Sequence, residues 1–389
     1  MLLLRNTSFI FKILVMVGPS SLLMNDLKPL TSWFSQESTE PLVIAGPCSA
    51  ESAEQVMNTA KQVAQTKKVQ IYRAGIWKPR TRPGSFEGVG IDGLKWLQQV
   101  KEETGLLVTT EVAHPKHIEL ALKYDIDILW IGARTTSNPF SVQELADNYK
   151  GVDVPLMVKN PINPDLELWV GAIERFYNIG LRKIAAIHRG FYPFEKTKLR
   201  NIPKWEIPIE LKSRFHQLPI INDPSHIAGK TGFIREVAQK ALDLNMNGLM
   251  IESHCNPKEA LSDADQQLKP EELKQLLDDL VIRHISVDDL EFMNLLENLR
   301  DQIDSIDQQI LELMGQRMDV VEKIGSYKAR NKVTILQLKR WEDIIITRLR
   351  AGKSLGLTEE FIKKLLQLVH KESIQKQTEV MNRLNGKSK

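Results

Sequence analysis

Short apolar runs alternate with amphipathic stretches along the larger, N-terminal part of the chain. Each run holds only a few mostly apolar residues, and each is followed by a segment with helical spacing, the pattern of parallel strands joined by crossover helices. The runs are Leu42–Ala45, Val69–Arg73, Leu106–Thr110, Ile126–Ile131, Pro155–Lys159, Lys183–Ile187, Pro219–Asn222 and Gly248–Glu252. Eight strand–helix units over roughly 230 residues predict an α/β TIM (β/α)8 barrel. A doubly wound open sheet fits the same alternation, although no GxGxxG follows the first strand, which argues against dinucleotide binding.

The pattern then changes. All 18 prolines lie at or before Pro270, and beyond that point only helical periodicity remains. Leu299, Ile303, Ile306, Ile310, Leu313, Val320 and Ile324 mark one face of a helix running from Glu291 to about Asn331. At 1.5 Å per residue such a helix is about 60 Å long. The roughly 60 residues that follow are too few to cover it, so the spacing predicts a homodimer in which a second chain covers the seam. Shorter helices are expected near Gln337–Arg350 and Glu359–Asn382, the last with Thr358 as N-cap and acidic residues in its first turn. The expected organisation is an N-terminal extension at 1–37, a barrel at 38–268, a linker at 269–290 and an all-α domain with one long helix at 291–389.

Residues Met1–Met24 are apolar, with Arg5 and Lys12 as the only charges, which divide the apolar residues into runs too short to span a bilayer. Residues 1–23 are expected to pack poorly, either as a targeting segment or, in the preferred reading, as an upstream start before Met24. Net charge is +3 with both signs dispersed, so no basic field points to nucleic acid. The proportions, 42% hydrophobic and 26% charged, are those of a soluble globular protein. Two cysteines, Cys48 and Cys255, exclude a disulfide framework and point to a reducing, cytoplasmic setting.

The polar residues that end the strands carry more information. Cys48, Arg73 with Lys78, Glu111, Arg134, Lys159, Arg189, Asp223 with His226, and Glu252 follow the eight runs in order. In a closed barrel those ends converge on one face, where barrel enzymes build their sites. Cys48, His226, Glu252 and Asp263 come from the neighbouring strands one, seven and eight and the loop beyond. Together they offer sulfur, nitrogen and carboxylate ligands to a borderline divalent ion, with Mn2+ as first choice and Fe2+, Co2+ or Zn2+ as alternatives. Arg73, Lys78, Arg80, Arg134, Lys159 and Arg189 would put six cations on the same face, which calls for phosphate and carboxylate ligands.

Several motifs carry a resemblance. Gly46-Pro47-Cys48-Ser49, Tyr72-Arg73-Ala74-Gly75, Lys78-Pro79-Arg80-Thr81, Ile131-Gly132-Ala133-Arg134, His188-Arg189-Gly190, Asp223-Pro224-Ser225-His226 and Leu261-Ser262-Asp263 are similar to those of 3-deoxy-D-arabino-heptulosonate 7-phosphate (DAHP) synthases. The match is to the compact subgroup related to 3-deoxy-manno-octulosonate 8-phosphate synthase. The resemblance implies condensation of phosphoenolpyruvate with erythrose 4-phosphate. It assigns Arg73, Lys78, Arg134, Lys159 and Arg189 to phosphoenolpyruvate, and Lys78, Pro79, Arg80 and Thr81 to the aldose phosphate. Lys78, Glu111 and Lys159 are the catalytic candidates. A related sugar-acid synthase is the competing reading, disfavoured by the Lys78–Thr81 segment.

The helical part resembles the AroQ-type chorismate mutases over about Asn294 to Gln377, on Leu299-Arg300, Ile303, Ile306-Asp307, Arg317, Lys328, Arg340, Ser373 and Gln377. That resemblance implies conversion of chorismate to prephenate in a pocket lined by Arg317, Lys328, Arg340, Ser373 and Gln377, with Arg300 supplied by the partner chain. Trp341 stands where an acid is usual and Gln337 where an aspartate is common. A helical domain that only binds a ligand or dimerises is the other reading. The feedback ligand of the whole chain would be chorismate or prephenate held in that domain.

Overall fold

The computed structural model describes residues 24–33, 41–78, 84, 86–194, 197–283 and 290–386. The chain divides into two compact units, Met1–Ile285 and Ser286–Lys389.

In the first unit β1 (Leu42–Gly46), β2 (Ile71–Arg73), β3 (Leu107–Val112), β4 (Ile128–Ile131), β5 (Leu156–Lys159), β6 (Ile184–His188), β7 (Ile220–Asn222) and β8 (Gly248–Glu252) form a closed barrel in sequence order. Every pairing is parallel, and β8 closes on β1 with Gly46 opposite Glu252. Each expected strand is present, with ends shifted by a residue or two. The outer helices are α1 (Ala53–Gln65), α2 (Ile91–Thr104), α3 (Pro115–Lys123), the short α4 (Ala133–Thr136), α5 (Pro139–Tyr149), α6 (Leu166–Asn178), α7 (Glu206–Arg214), the short α8 (Pro224–Ala228) and α9 (Ile234–Asp243).

Strand side chains alternate between two apolar layers. Ile44, Ile71, Ile128, Trp130, Met157, Ile187 and Met250 fill the barrel interior, so it is a packed core and not a pore. The other faces pack under the helices. Leu30 and Trp33 lie against the interior cluster, and Met24 is buried in the outer one. Residues 24–33 of the expected extension are therefore part of the barrel's packing. Residues 1–23, expected to pack poorly, lie outside the described residues.

The linker expected at 269–290 is corrected. Pro270–Asp279 forms a helix, α10, with Pro270, Leu273 and Leu276 buried in the barrel core beside α1. Pro270 does not end the domain; it is the first residue of this helix, where its missing N–H costs nothing. Glu272 accepts from Lys269 N at 2.9 Å, the backbone half of a capping box. The barrel thus extends through α10, past 268. Residues 284–289 lie outside the described residues.

The second unit is α11 (Leu290–Arg330), α12 (Leu338–Ser354) and α13 (Glu359–Gly386), with α13 packed on both of the others. Its long helix has 41 residues. Thr358 caps α13, its hydroxyl accepting from Phe361 N at 3.3 Å. Gly325 lies against Gln377, and Gly352 against Ile362, where small residues let the helices approach. Val321, Ile362 and Val380 are its buried large apolar residues among those described. The predicted seam, Leu299 to Ile324, lies 42% to 63% exposed at every one of its seven positions. No helix among the described residues is long and apolar enough to cross a membrane.

Candidate active sites

At the C-terminal mouth of the barrel, Gly46 ends β1 with φ +148°, and a Cβ there would strike the Arg73 carbonyl. The chain then turns to bury Cys48. Arg73, ending β2, is 1% exposed, with Nη2 3.0 Å from Glu252 Oε1. Its guanidinium lies 5.1 Å from the centre of the Trp130 ring, and Lys159 Nζ lies 5.8 Å from the same ring. Trp130 Nε1 donates to Glu111 Oε2 at 3.2 Å. A Cβ on Gly132 would collide with the Glu111 carboxylate, so that glycine makes room for it.

Asp223, fully buried after β7, caps α8 and is 2.8 Å from Lys159 Nζ. It also holds His226 Nδ1 at 2.8 Å. That contact leaves His226 Nε2 facing Glu252 Oε1 at 3.8 Å. A carboxylate behind an imidazole in this way fixes the ring for a metal ligand. Ligand atoms of Cys48, Glu252 and Asp263 lie within 4.8 Å of one another, and Cys48 Sγ is 3.3 Å from Asp263 Oδ2. Lys78 Nζ is 3.0 Å from Cys48 Sγ and donates to the Cys48 carbonyl at 2.7 Å.

The electrostatics suit two kinds of ligand. Burial, reinforced by the Glu252 charge, pushes the Cys48 thiol up to about 12, so without a cation it stays protonated. Burial opposes ionisation of Glu252, yet His226 and Arg73 hold it below the usual carboxylate range. Asp263 is lowered further, burial being outweighed by Arg200 and His226. Glu252 Oε1 is buried without a hydrogen bond, its neighbours being Arg73 Nη2 at 3.0 Å and His226 Nε2 at 3.8 Å; the sulfur, imidazole and carboxylate donors together fit a borderline divalent metal. Burial, helped by the charges of Arg200 and Arg134 and opposed by Asp223, brings Arg189 down to about 10. Arg73 Nε and Nη1 are buried donors without hydrogen-bond partners. Crowded cations and unused donors fit an anion. A cavity of about 350 Å³ lined by Arg200, Gly229, Asp263 and Gln266 adjoins the site.

In the helical unit, Arg317 Nη1 donates to Ser373 Oγ at 2.6 Å, and Ser373 Oγ donates to the Val369 carbonyl. Gln377, one turn along α13, donates to the Ser373 carbonyl, while its Oε1 is buried without a partner. Lys328 Nζ holds the Ile335 carbonyl at 2.6 Å in the turn between α11 and α12. Trp341 stacks on His370 with ring centroids 3.9 Å apart.

The structure places Arg73, Lys78, Glu111, Lys159 and Arg189 around one barrel mouth with a cluster of Cys48, Glu252 and Asp263; His226 stands outside that cluster, with Nε2 3.8 Å from Glu252 Oε1. Arg134, on α4, lies near enough to Arg189 to depress it. Pro79, Arg80 and Thr81 lie outside the described residues. Arg317, Ser373 and Gln377 come together, whereas Arg340 is exposed on α12 and Arg300 is exposed beside Glu297. Cys48 and Cys255 are free thiols. Trp130, Arg200 and Gln266 belong to the barrel site and were not singled out from the sequence. Trp130 reads as one more apolar strand residue, and no local motif marks the other two.

Residues 34–283 match the DAHP synthetase I family, and the chain belongs to that family. Residues 299–378 match chorismate mutase type II, so the one chain joins a DAHP synthase, a transferase, to a chorismate mutase, an isomerase, both of aromatic amino-acid biosynthesis. A phospho-2-dehydro-3-deoxyheptonate aldolase of Thermotoga maritima is 33% identical over 238 residues, 61% of this chain and 68% of that relative. A 2-dehydro-3-deoxyphosphooctonate aldolase of Helicobacter pylori is 27% identical over 269 residues, 62% of this chain and 95% of that one. The crystal structure of the Thermotoga maritima DAHP synthase matches with a TM-score of 0.55 at 31% identity, covering 61% of this chain and 67% of that one.

Proposed function

We propose that the barrel condenses phosphoenolpyruvate with erythrose 4-phosphate, releasing phosphate, and that the helical unit rearranges chorismate to prephenate. The observation that carries the first assignment is the set of buried cations at the barrel mouth next to the cluster of Cys48, Glu252 and Asp263. Arg73 offers two unused donors and Lys159 shares the Trp130 ring with it, while Arg189 and Arg134 would supply further cations, as a ligand with a phosphate and a carboxylate requires. Trp130 forms an aromatic wall beneath Arg73 and Lys159. Arg134 completes the anion set, and Lys78 with Pro79, Arg80 and Thr81 would take the aldose phosphate. Cys48, His226, Glu252 and Asp263 would hold the divalent ion, Mn2+ first among the alternatives, which as a Lewis acid would polarise the aldehyde oxygen. Carbon 3 of phosphoenolpyruvate then bonds to the aldehyde carbon, water adds at carbon 2 and phosphate leaves. Lys78 Nζ, Lys159 Nζ and the Glu111 carboxylate are the groups placed to donate or accept protons during these steps.

For the rearrangement, no nucleophile or general base is needed. Two carboxylates must be clamped and the ether oxygen must receive hydrogen bonds, which preorganised donors supply. Arg317, Lys328, Arg340, Ser373 and Gln377 are the donors of one protomer, with Arg300 supplied by the other chain of a homodimer. The exposed seam of α11 supports that dimer. Chorismate or prephenate bound there would inhibit condensation by favouring a less active arrangement of the protein.

The test is to assay both reactions in the full chain, with and without prephenate, for wild type, Cys48→Ala and Arg317→Ala. Condensation should vanish in Cys48→Ala and after chelation, return to the wild type with Mn2+, and prefer erythrose 4-phosphate over arabinose 5-phosphate. Arg317→Ala should lose chorismate turnover by about tenfold to a hundredfold, as loss of a charge-assisted contact predicts, together with inhibition by prephenate. Full condensation after exhaustive chelation would refute the metal role. Absence of chorismate turnover in wild type would leave a ligand-binding module in its place.

A further inference from the structure

Gln266 and Gln267 lie directly behind the metal-ligand candidates, and both are 1% exposed. They end the loop that begins at Asp263, whose backbone is left-handed at φ +49°. Gln266 Nε2 donates to Glu252 Oε2 at 2.7 Å, and its Oε1 accepts from Arg200 Nη1 at 2.6 Å. That same Arg200 nitrogen is 3.0 Å from Asp263 Oδ1. Gln267 Oε1 accepts from Cys48 N at 2.9 Å, and its Nε2 donates to the Ser262 carbonyl at 2.8 Å.

Neither amide can be turned around. A carboxylate and a carbonyl must face the NH2 group, and a guanidinium and a backbone N–H must face the oxygen. Each glutamine therefore has both ends committed, and each commitment touches a ligand residue or its neighbour. Glu252 Oε2 and Asp263 Oδ1 are occupied from behind. That leaves Glu252 Oε1, which makes no hydrogen bond and lies 3.0 Å from Arg73 Nη2, and Asp263 Oδ2, beside Cys48 Sγ, on the ligand side.

We propose that Gln266 and Gln267 are the positioning residues of the metal centre. Gln266 orients Glu252 directly and Asp263 through Arg200. Gln267 ties the Cys48 backbone to the residue preceding Asp263, fixing the spacing of two loops that come from opposite ends of the barrel sequence. Outer partners of this kind set the affinity of a metal site by holding its ligands before the ion arrives. This inference rests on the metal-centre reading given above.

The test is Mn2+ binding to the chelator-stripped full chain, read by competition with a chelating dye, in wild type, Gln266→Met and Gln267→Met. Methionine keeps the volume and removes both hydrogen bonds. Affinity should fall by about tenfold to a hundredfold in each variant, and the rise in melting temperature given by saturating Mn2+ should shrink. A glutamine with only a structural role would lower the metal-free melting temperature and leave Mn2+ affinity intact. Gln266→Asn and Gln267→Asn, which retract the amide by one methylene, replace any methionine variant that does not fold, with the same expected loss. Affinity within about twofold of wild type in folded variants of both residues would overturn the proposal, since that is well short of the expected loss. A wild type that takes up no Mn2+ would overturn the metal-centre reading itself.

Discussion

His188 ends β6 with its ring turned into the protein. Its Nε2 donates to the Pro203 carbonyl at 2.6 Å, and its Nδ1 accepts from Asn222 Nδ2 at 3.1 Å, which requires the neutral ring. Burial pushes its pKa down to about 4 from an ordinary 6.5. The unfolded chain takes up this proton as pH falls below 6.5, while the folded one resists until about 4, so the barrel loses stability across that window as pH falls. The full effect of such a shift is about 3 kcal/mol. In His188→Gln, the urea midpoint should be lower than wild type at pH 7 and should fall less between pH 6.5 and pH 4.5. Parallel pH profiles for the two proteins would show that His188 does not carry this dependence. At this scale the candidate ligands and cations of the barrel mouth were legible because a reactive side chain after an apolar run is conspicuous. Asp223 was visible as a strand-end acid, but its role in holding both Lys159 and His226 depends on distances. Trp130 was hidden, since an aromatic residue within an apolar strand is the ordinary content of a core.

Among the elements, α10 changes the account of the barrel most. Leu273 and Leu276 are a helical turn apart and share its buried face, with Leu277 and Leu280 partly buried against the same core. Leu273→Ala should destabilise the barrel by about 2–5 kcal/mol, the usual cost of emptying a buried leucine site. Loss of condensation during urea unfolding would report it; an unchanged midpoint would mean that α10 contributes nothing to the barrel. The leucine spacing is present in the sequence, but the helix is short and lies inside the stretch expected as a linker, with Pro270 at its first position. The strands were easier, because each is a short apolar run bounded by turn residues and followed by a helix. The long α11 was easier still, its apolar period persisting over many turns. What periodicity does not contain is which cation points where. Arg317 reaches Ser373 while Arg340, on the neighbouring helix, remains exposed.

The two units of the molecule stand on different physical footings. The barrel has an interior layer and an outer layer, each continuous. The helical unit buries few large apolar side chains and leaves a seam of seven exposed. In the proposed dimer that seam is covered, so Ile306→Asp should convert dimers to monomers in sedimentation and abolish chorismate turnover while condensation persists. Dimers that survive the substitution would exclude the seam as the interface. The exposed α11 seam also makes the second activity a function of concentration. Where folding is completed by a second chain, mass action governs shape as well as assembly. On serial dilution, chorismate turnover per molecule would decline as chains part, while a barrel with its own core would keep its rate, and the dilution at which the two curves separate would report the dissociation constant of the pair.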